Sequence, residues 1–308
     1  MSTVEGSLEF EDRKLYTKTW KTDGPAKARV AFVHGYSDHC GRYGIFFPTL
    51  ASNGIEVCAF DQAGWGRSVQ KPSERGLTGP TSRVHADITA FLNTLIPSSV
   101  PLFLMGHSMG GGEILTYAAM GPADTRQHIR GYLAEAPLIG LDPASQPLKL
   151  VLTLGKLAAK LAPNFQRTDK LKADYISRDP ENNQSIVDDP LCHDTGTLEG
   201  LAGMFERADL LESGKLRISE GRGQGGRTRM WVSHGTGDRV CSFDATKKFC
   251  DREKKDIEDF EFKVYDGWYH QLHFEPSPDR ETFANDVIEW ILKRTDDTTA
   301  DEGVQPKL

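Results

Sequence analysis

Two spacings alternate along most of the chain. Compact apolar runs at residues 29–33, 55–60, 100–105, 128–136, 229–234 and 260–265 are short and end abruptly, which predicts buried strands. Between and after them, residues 42–53, 82–96, 110–120, 244–250 and 280–293 read as helices. In the first of these, Phe46, Phe47 and Leu50 face inward, and Gly54 closes the helix. Residues 10–20 are rich in aromatic and β-branched residues, with a polar break at Glu11-Asp12-Arg13, and predict an N-terminal hairpin. Strands alternating with helices in this way predict the α/β class, with a mostly parallel, doubly wound sheet of about eight strands.

The rhythm lapses between residues 138 and 207, where the pattern predicts no strand. Residues 147–163 instead predict one amphipathic helix, with Leu150, Leu154, Leu157 and Leu161 on one face and Lys149, Thr153, Lys156 and Lys160 on the other. An insertion here would form a helical cap (138–207) over the sheet's C-terminal edge, where open α/β sheets bind ligands. The core would then comprise residues 1–137 and 208–294, with 295–308 a disordered tail. The leucines either pack on the body or line an apolar channel. In the second case the lysines would meet an anionic interface.

Composition narrows the class. A net charge of -7 opposes nucleic-acid binding, and the single glycine- and arginine-rich stretch at 221–227 reads as a surface loop. Five scattered cysteines, odd in number and without CxxC spacing, favour reduced thiols over a disulfide framework or zinc site. The N-terminal residues lack an apolar signal core, and no run approaches the length of a membrane span, so a soluble, cytoplasmic chain is expected. The final Pro306-Lys307-Leu308 is a poor match to a peroxisomal address.

The chemistry centres on Gly106-His107-Ser108-Met109-Gly110, between a predicted strand and a predicted helix. A serine at so sharp a corner would be strained and exposed, with the flanking glycines removing Cβ clashes. A serine hydroxyl is a weak nucleophile and needs a histidine base oriented by a carboxylate. After the strand at 229–234 comes Asp238, the expected acid; after the strand at 260–265 comes His270, the expected base. Asp266 and His273 are the alternatives. Two backbone donors for a developing oxyanion are expected at Met109 N–H and at Tyr36 N–H in the loop His34-Gly35-Tyr36-Ser37-Asp38-His39. His34 and His107 read as supports. The run 61–68 lacks a P-loop lysine and does not open a helix, so it reads as a structural loop beneath the elbow.

With these residues in place, the chain resembles the monoacylglycerol lipases among the serine hydrolases, particularly fungal-type members. The likeness runs through residues 34–43, the run 60–68, Gly106-His107-Ser108-Met109-Gly110-Gly111, Ala136-Pro137, the acid segment 235–241 and the segment 269–273. It implies an α/β-hydrolase fold with Ser108 as nucleophile, Asp238 as acid, His270 as base, and Tyr36 and Met109 as oxyanion donors. It also implies cleavage of monoacylglycerol to glycerol and fatty acid without metal or organic cofactor, and without an obligate protein partner. The enzyme would touch membranes or lipid droplets peripherally. Leu150, Leu154 and Leu157 would then contact the acyl chain. Cys241 matches a thiol position near the site in animal relatives, and is otherwise a buried inert cysteine. A lysophospholipase, a general carboxylesterase or a thioesterase would use the same residues. A non-catalytic binding protein of the same fold is the rival from another class.

Overall fold

In a computed structural model, residues 2–146, 155 and 157–295 are described. An antiparallel hairpin of β1 (Thr3–Phe10) and β2 (Arg13–Trp20) turns at Glu11-Asp12. There follow β3 (Ala28–Val33), α1 (Phe46–Ser52), β4 (Ile55–Phe60), α2 (Thr81–Asn93) and β5 (Leu102–His107). Next come α3 (Met109–Met120), the short α4 (Ala123–Arg126) and β6 (Ile129–Glu135). An insertion then carries the helix α5, described at 155 and 157–161, with β7 (Gln166–Thr168), α6 (Pro180–Asp188) and β8 (Thr195–Thr197). The chain closes with α7 (Leu198–Glu212), β9 (Arg229–Gly235), α8 (Phe243–Glu253), β10 (Asp259–Tyr265) and α9 (Asp279–Leu292).

The sheet has eight strands in the order β1-β2-β4-β3-β5-β6-β9-β10; β1, β2 and β4 pair antiparallel and every other pair is parallel. Its inner strands are apolar on both faces because helices cover both. On β5, Leu102 and Leu104 join one core, with Ile114 and Leu115 of α3, while Phe103 and Met105 join the other, with Phe283 and Val287 of α9.

The insertion differs from the sequence pattern in two respects. Residues 166–168 pair antiparallel with 195–197, a ribbon where the pattern predicts no strand. Three-residue strands are too short to show a period of two. The expected boundary at 207 also falls inside α7. Of the predicted helix at 147–163, residues 155 and 157–163 lie within the described residues, and α5 ends at 161. A third apolar cluster, including Met109, Leu138, Ile176, Met204 and Val240, joins the insertion to the sheet's C-terminal edge.

Candidate active site

Ser108 sits between β5 and α3 with φ 56° and ψ -118°, a conformation that side chains other than glycine rarely adopt. Its neighbours allow no more bulk. A Cβ on Gly106 would lie 2.5 Å from the Gly110 carbonyl oxygen, and one on Gly110 would lie 2.2 Å from the Val33 carbonyl oxygen. The corner is pinned from both sides: Ser108 N–H donates to the Glu135 carbonyl (2.9 Å), and the Ser108 carbonyl accepts from Leu138 N–H (2.9 Å) and Gly112 N–H (3.0 Å).

Parallel pairing brings four further loops, those after β3, β6, β9 and β10, to the same edge. Gly106 lies opposite both Val33 and Ala134, Ala134 lies opposite Val232, and Gly235, three residues on, lies opposite Tyr265, so all five strands end on the same edge. From these loops Ser108 Oγ meets His270 Nε2 at 2.9 Å, and His270 Nδ1 meets Asp238 Oδ2 at 2.8 Å. All three residues are buried. Asp238 Oδ2 also accepts from His234 Nε2 at 2.9 Å, and Oδ1 accepts from Val240 N–H (2.7 Å) and Cys241 N–H (3.0 Å). Burial alone would raise the Asp238 carboxyl, but His270 and His234 outweigh it and hold it well below the usual carboxylate range. The carboxylate stays ionised and its acceptor at His270 keeps the proton on Nδ1, leaving the Nε2 lone pair for the serine hydroxyl.

The two alternatives face elsewhere. His273 Nδ1 meets Glu135 Oε1 at 2.6 Å, in a pocket where its ring stacks on Tyr43. Asp266 is exposed and accepts from Thr236 Oγ1, holding a turn. His34 Nε2 accepts from Gln62 N–H (2.9 Å) and its Nδ1 donates to the Gly35 carbonyl, so it fastens its loop. His107 Nε2 donates to the His270 carbonyl at 3.3 Å; burial drops its pKa to about 3 and keeps it neutral. Asp61, at the head of the 61–68 run, accepts from Cys40 N–H and Arg67 N–H.

Met109 opens α3, so its N–H has no intrahelical acceptor. Gly35 packs against Ser108: a Cβ there would lie 3.2 Å from the Ser108 Cβ. Tyr36, the next residue, is anchored by its hydroxyl to the Asp194 carbonyl (2.8 Å), while Asp194 N–H donates to Ser37 Oγ. Above Ser108 lies a cavity of about 470 Å³ whose walls include Leu138, Ile176, Leu201, Met204 and Val240, with Arg167 and Lys172 also on its lining. Cys241 is on this wall. Leu150 and Leu154 lie outside the described residues. Leu157 does not line the cavity: α5 leaves it 59% exposed, so its expected place in the channel is corrected to the surface.

Among the described residues, one trio brings metal-ligating atoms together: His39, Asp189 and Cys192, within 4.8 Å of one another. The donor pattern suits a hydrogen-bonded pair and not a metal. His39 Nδ1 accepts from Gly41 N–H and faces Arg67, so the proton sits on Nε2, which donates to Asp189 Oδ2 at 2.9 Å.

A family model for the hydrolases described as "Serine aminopeptidase, S33" matches residues 24–277. The chain belongs to this S33 hydrolase family. A Schizosaccharomyces pombe relative, provisionally named a monoglyceride lipase, is 35% identical over 289 residues, covering 91% of this chain and 72% of its own. The monoacylglycerol lipase of Mycolicibacterium smegmatis is 29% identical over 297 residues, with 91% and 93% covered. The crystal structure of a soluble variant of Saccharomyces cerevisiae monoglyceride lipase, in complex with a substrate analogue, superposes with a TM-score of 0.84 at 25% identity, covering 96% of this chain and 97% of that one. The fold is therefore the α/β-hydrolase fold, and the S33 hydrolase described here is a serine ester hydrolase.

Sequence reasoning passes over three groups in this S33 hydrolase. His234 reads there only as a strand end, although its spacing of four from Asp238 is visible. The Glu135–His273 pair and the Arg207–Glu113 pair (2.9 Å), which ties α7 to α3, join residues too far apart in the chain for spacing to reveal.

Proposed function

We propose that Ser108, His270 and Asp238 are the catalytic triad of a monoacylglycerol hydrolase. The observation that carries this reading is the hydrogen-bonded line from Asp238 through His270 to Ser108, opening beneath a mainly apolar cavity. Its volume falls in the range of pockets that enclose a small organic ligand. His270 Nε2 takes the Ser108 proton as Oγ attacks the ester carbonyl, and Asp238 stabilises the imidazolium. The N–H groups of Tyr36 and Met109 receive the developing oxyanion. The imidazolium then gives its proton to the departing glycerol oxygen. A water deprotonated by His270 attacks the acyl-serine and frees the fatty acid, restoring Ser108. The relatives named monoglyceride and monoacylglycerol lipases support this substrate.

The segment between β6 and α7 acts as the cap, and its surface meets lipid. Leu161 is 84% exposed and Phe165 64%, beside Leu157 and Lys160. The contact proposed is peripheral, at a membrane or lipid droplet; no helix among the described residues is long and apolar enough to cross a membrane.

The test is fluorophosphonate labelling followed by a substrate panel. Wild type labels and Ser108→Ala does not; equal labelling overturns the nucleophile. Monoolein is cleaved faster than lysophosphatidylcholine and a short p-nitrophenyl ester at matched concentrations. A preference for either of the others replaces the substrate and leaves the triad in place.

A further inference from the structure

Glu275 is fully buried, and its two carboxylate oxygens serve different elements. Oε1 accepts the backbone N–H of Tyr269 at 2.5 Å, one residue before His270. Oε2 accepts from Arg178, whose Nε is 2.7 Å away and whose backbone N–H is 3.3 Å away. Arg178 comes from the insertion, just ahead of α6; its guanidinium also pairs with Asp279 at the start of α9 and lies 5.7 Å from the Trp268 ring. Its neighbours join the same seam. The Ile176 carbonyl accepts Gln271 N–H at 2.7 Å, and Ser177 Oγ donates to the Phe274 carbonyl at 2.7 Å. Residues 176–178 thus run alongside 269–275 and grip that loop on both sides of His270.

A carboxylate taken out of water tolerates its charge only while its partners remain. Burial pushes the Glu275 carboxyl up, and the Tyr269 N–H and Arg178 work against that rise. We propose that Arg178 is a positioning residue for catalysis: it neutralises Glu275, which in turn holds the Tyr269 N–H and keeps the His270 ring in line with Ser108 Oγ. The inference rests on the reading of Ser108 and His270 given above. It makes the insertion part of the support of the base, in addition to a cover for the cavity.

The test uses the full chain at one pH, with the second-order rate of fluorophosphonate labelling and with kcat and KM on p-nitrophenyl butyrate. Neither readout depends on which lipid is the substrate. Arg178→Met lowers labelling and kcat by about ten- to a hundredfold, the scale expected for a misplaced reacting group. KM stays near wild type, because the group displaced is the base and not the substrate wall. Arg178→Lys recovers part of the rate. Arg178→Met/Glu275→Gln removes the stranded charge while keeping an amide oxygen for Tyr269 N–H, and recovers to within about threefold of wild type, as coupled partners do. Arg178→Met at the wild-type rate overturns the proposal, as does a folded double variant that stays about ten times slower than wild type. Should Arg178→Met fail to fold, the double variant and Arg178→Lys decide the question in its place. A wild type that does not label overturns the reading of Ser108, and this inference with it.

Discussion

Gly110→Ala tests the elbow at its tightest point. The new methyl would meet the Val33 carbonyl oxygen at 2.2 Å and the His34 carbonyl oxygen at 2.6 Å, whereas real Cβ contacts do not fall below 3.0 Å. Both obstacles are backbone, and Val33 ends a strand paired on both sides by β4 and β5. The first turn of α3 must therefore withdraw by about 0.8 Å, the shortfall between 2.2 and 3.0 Å. Ser108 is two residues away and loses its 2.9 Å approach to His270. A displacement near 1 Å costs about a hundredfold in rate, or about 2.7 kcal/mol of transition-state stabilisation. The assay is a time course of fluorophosphonate labelling, with the melting temperature measured on the same protein. Gly24→Ala is the control, since nothing lies within 4 Å of a Cβ there, and it labels like wild type. A folded Gly110→Ala protein labelling within about threefold of wild type would refute the claim that the elbow depends on that glycine.

Three other outcomes are expected. His234→Leu removes one of the two imidazole donors on Asp238 Oδ2, and labelling slows by about tenfold, the worth of one charge-assisted hydrogen bond; His234→Gln, which keeps a donor, recovers, and an unchanged rate for the leucine variant would show that donor to be idle. On α2, burial, with Arg207 adding, lowers the His85 pKa to about 4. Its neutral ring therefore contributes stability that is complete above about pH 6.5, the unfolded value, and is lost as pH falls towards 4. His85→Gln lacks this loss, so between about pH 7.5 and pH 5 its unfolding free energy in urea falls by about 2 kcal/mol less than that of wild type; parallel pH slopes would rule the account out. Phe165→Asp lowers co-sedimentation with liposomes, and unchanged binding by the folded variant removes that face from the lipid contact.

Much of the architecture is legible in the sequence because its signals are local. A buried parallel strand declares itself as a short apolar run, and the order of strands and helices then leaves little freedom in topology. Ser108 is readable from its own five residues, while Asp238 and His270 follow from their places beyond strand ends. Choosing between His270 and His273 on physical grounds is harder. The two sit in one loop, and which ring faces the serine depends on Glu135 and Glu275, whose partners lie far off in the chain or along a folded-back turn. The insertion is least legible. Helical periodicity shows that leucines share a face but not what lies opposite, and Leu157 faces solvent. The His39–Asp189 pair spans 150 positions, so no spacing rule could find it.

The position of β10 at the rim of the sheet has a consequence for how the molecule fails. The strand pairs with β9 alone, and the loop that follows it carries His270, whereas Ser108 follows β5 in the middle of the sheet. Outer strands open at lower free energy than inner ones. A partial opening that peels β10 away would carry off the base and leave the serine corner folded, so activity would vanish before most of the secondary structure does. Loss of turnover on mild heating would then measure the fraying of one edge, and cooling would return it without the whole chain having to refold.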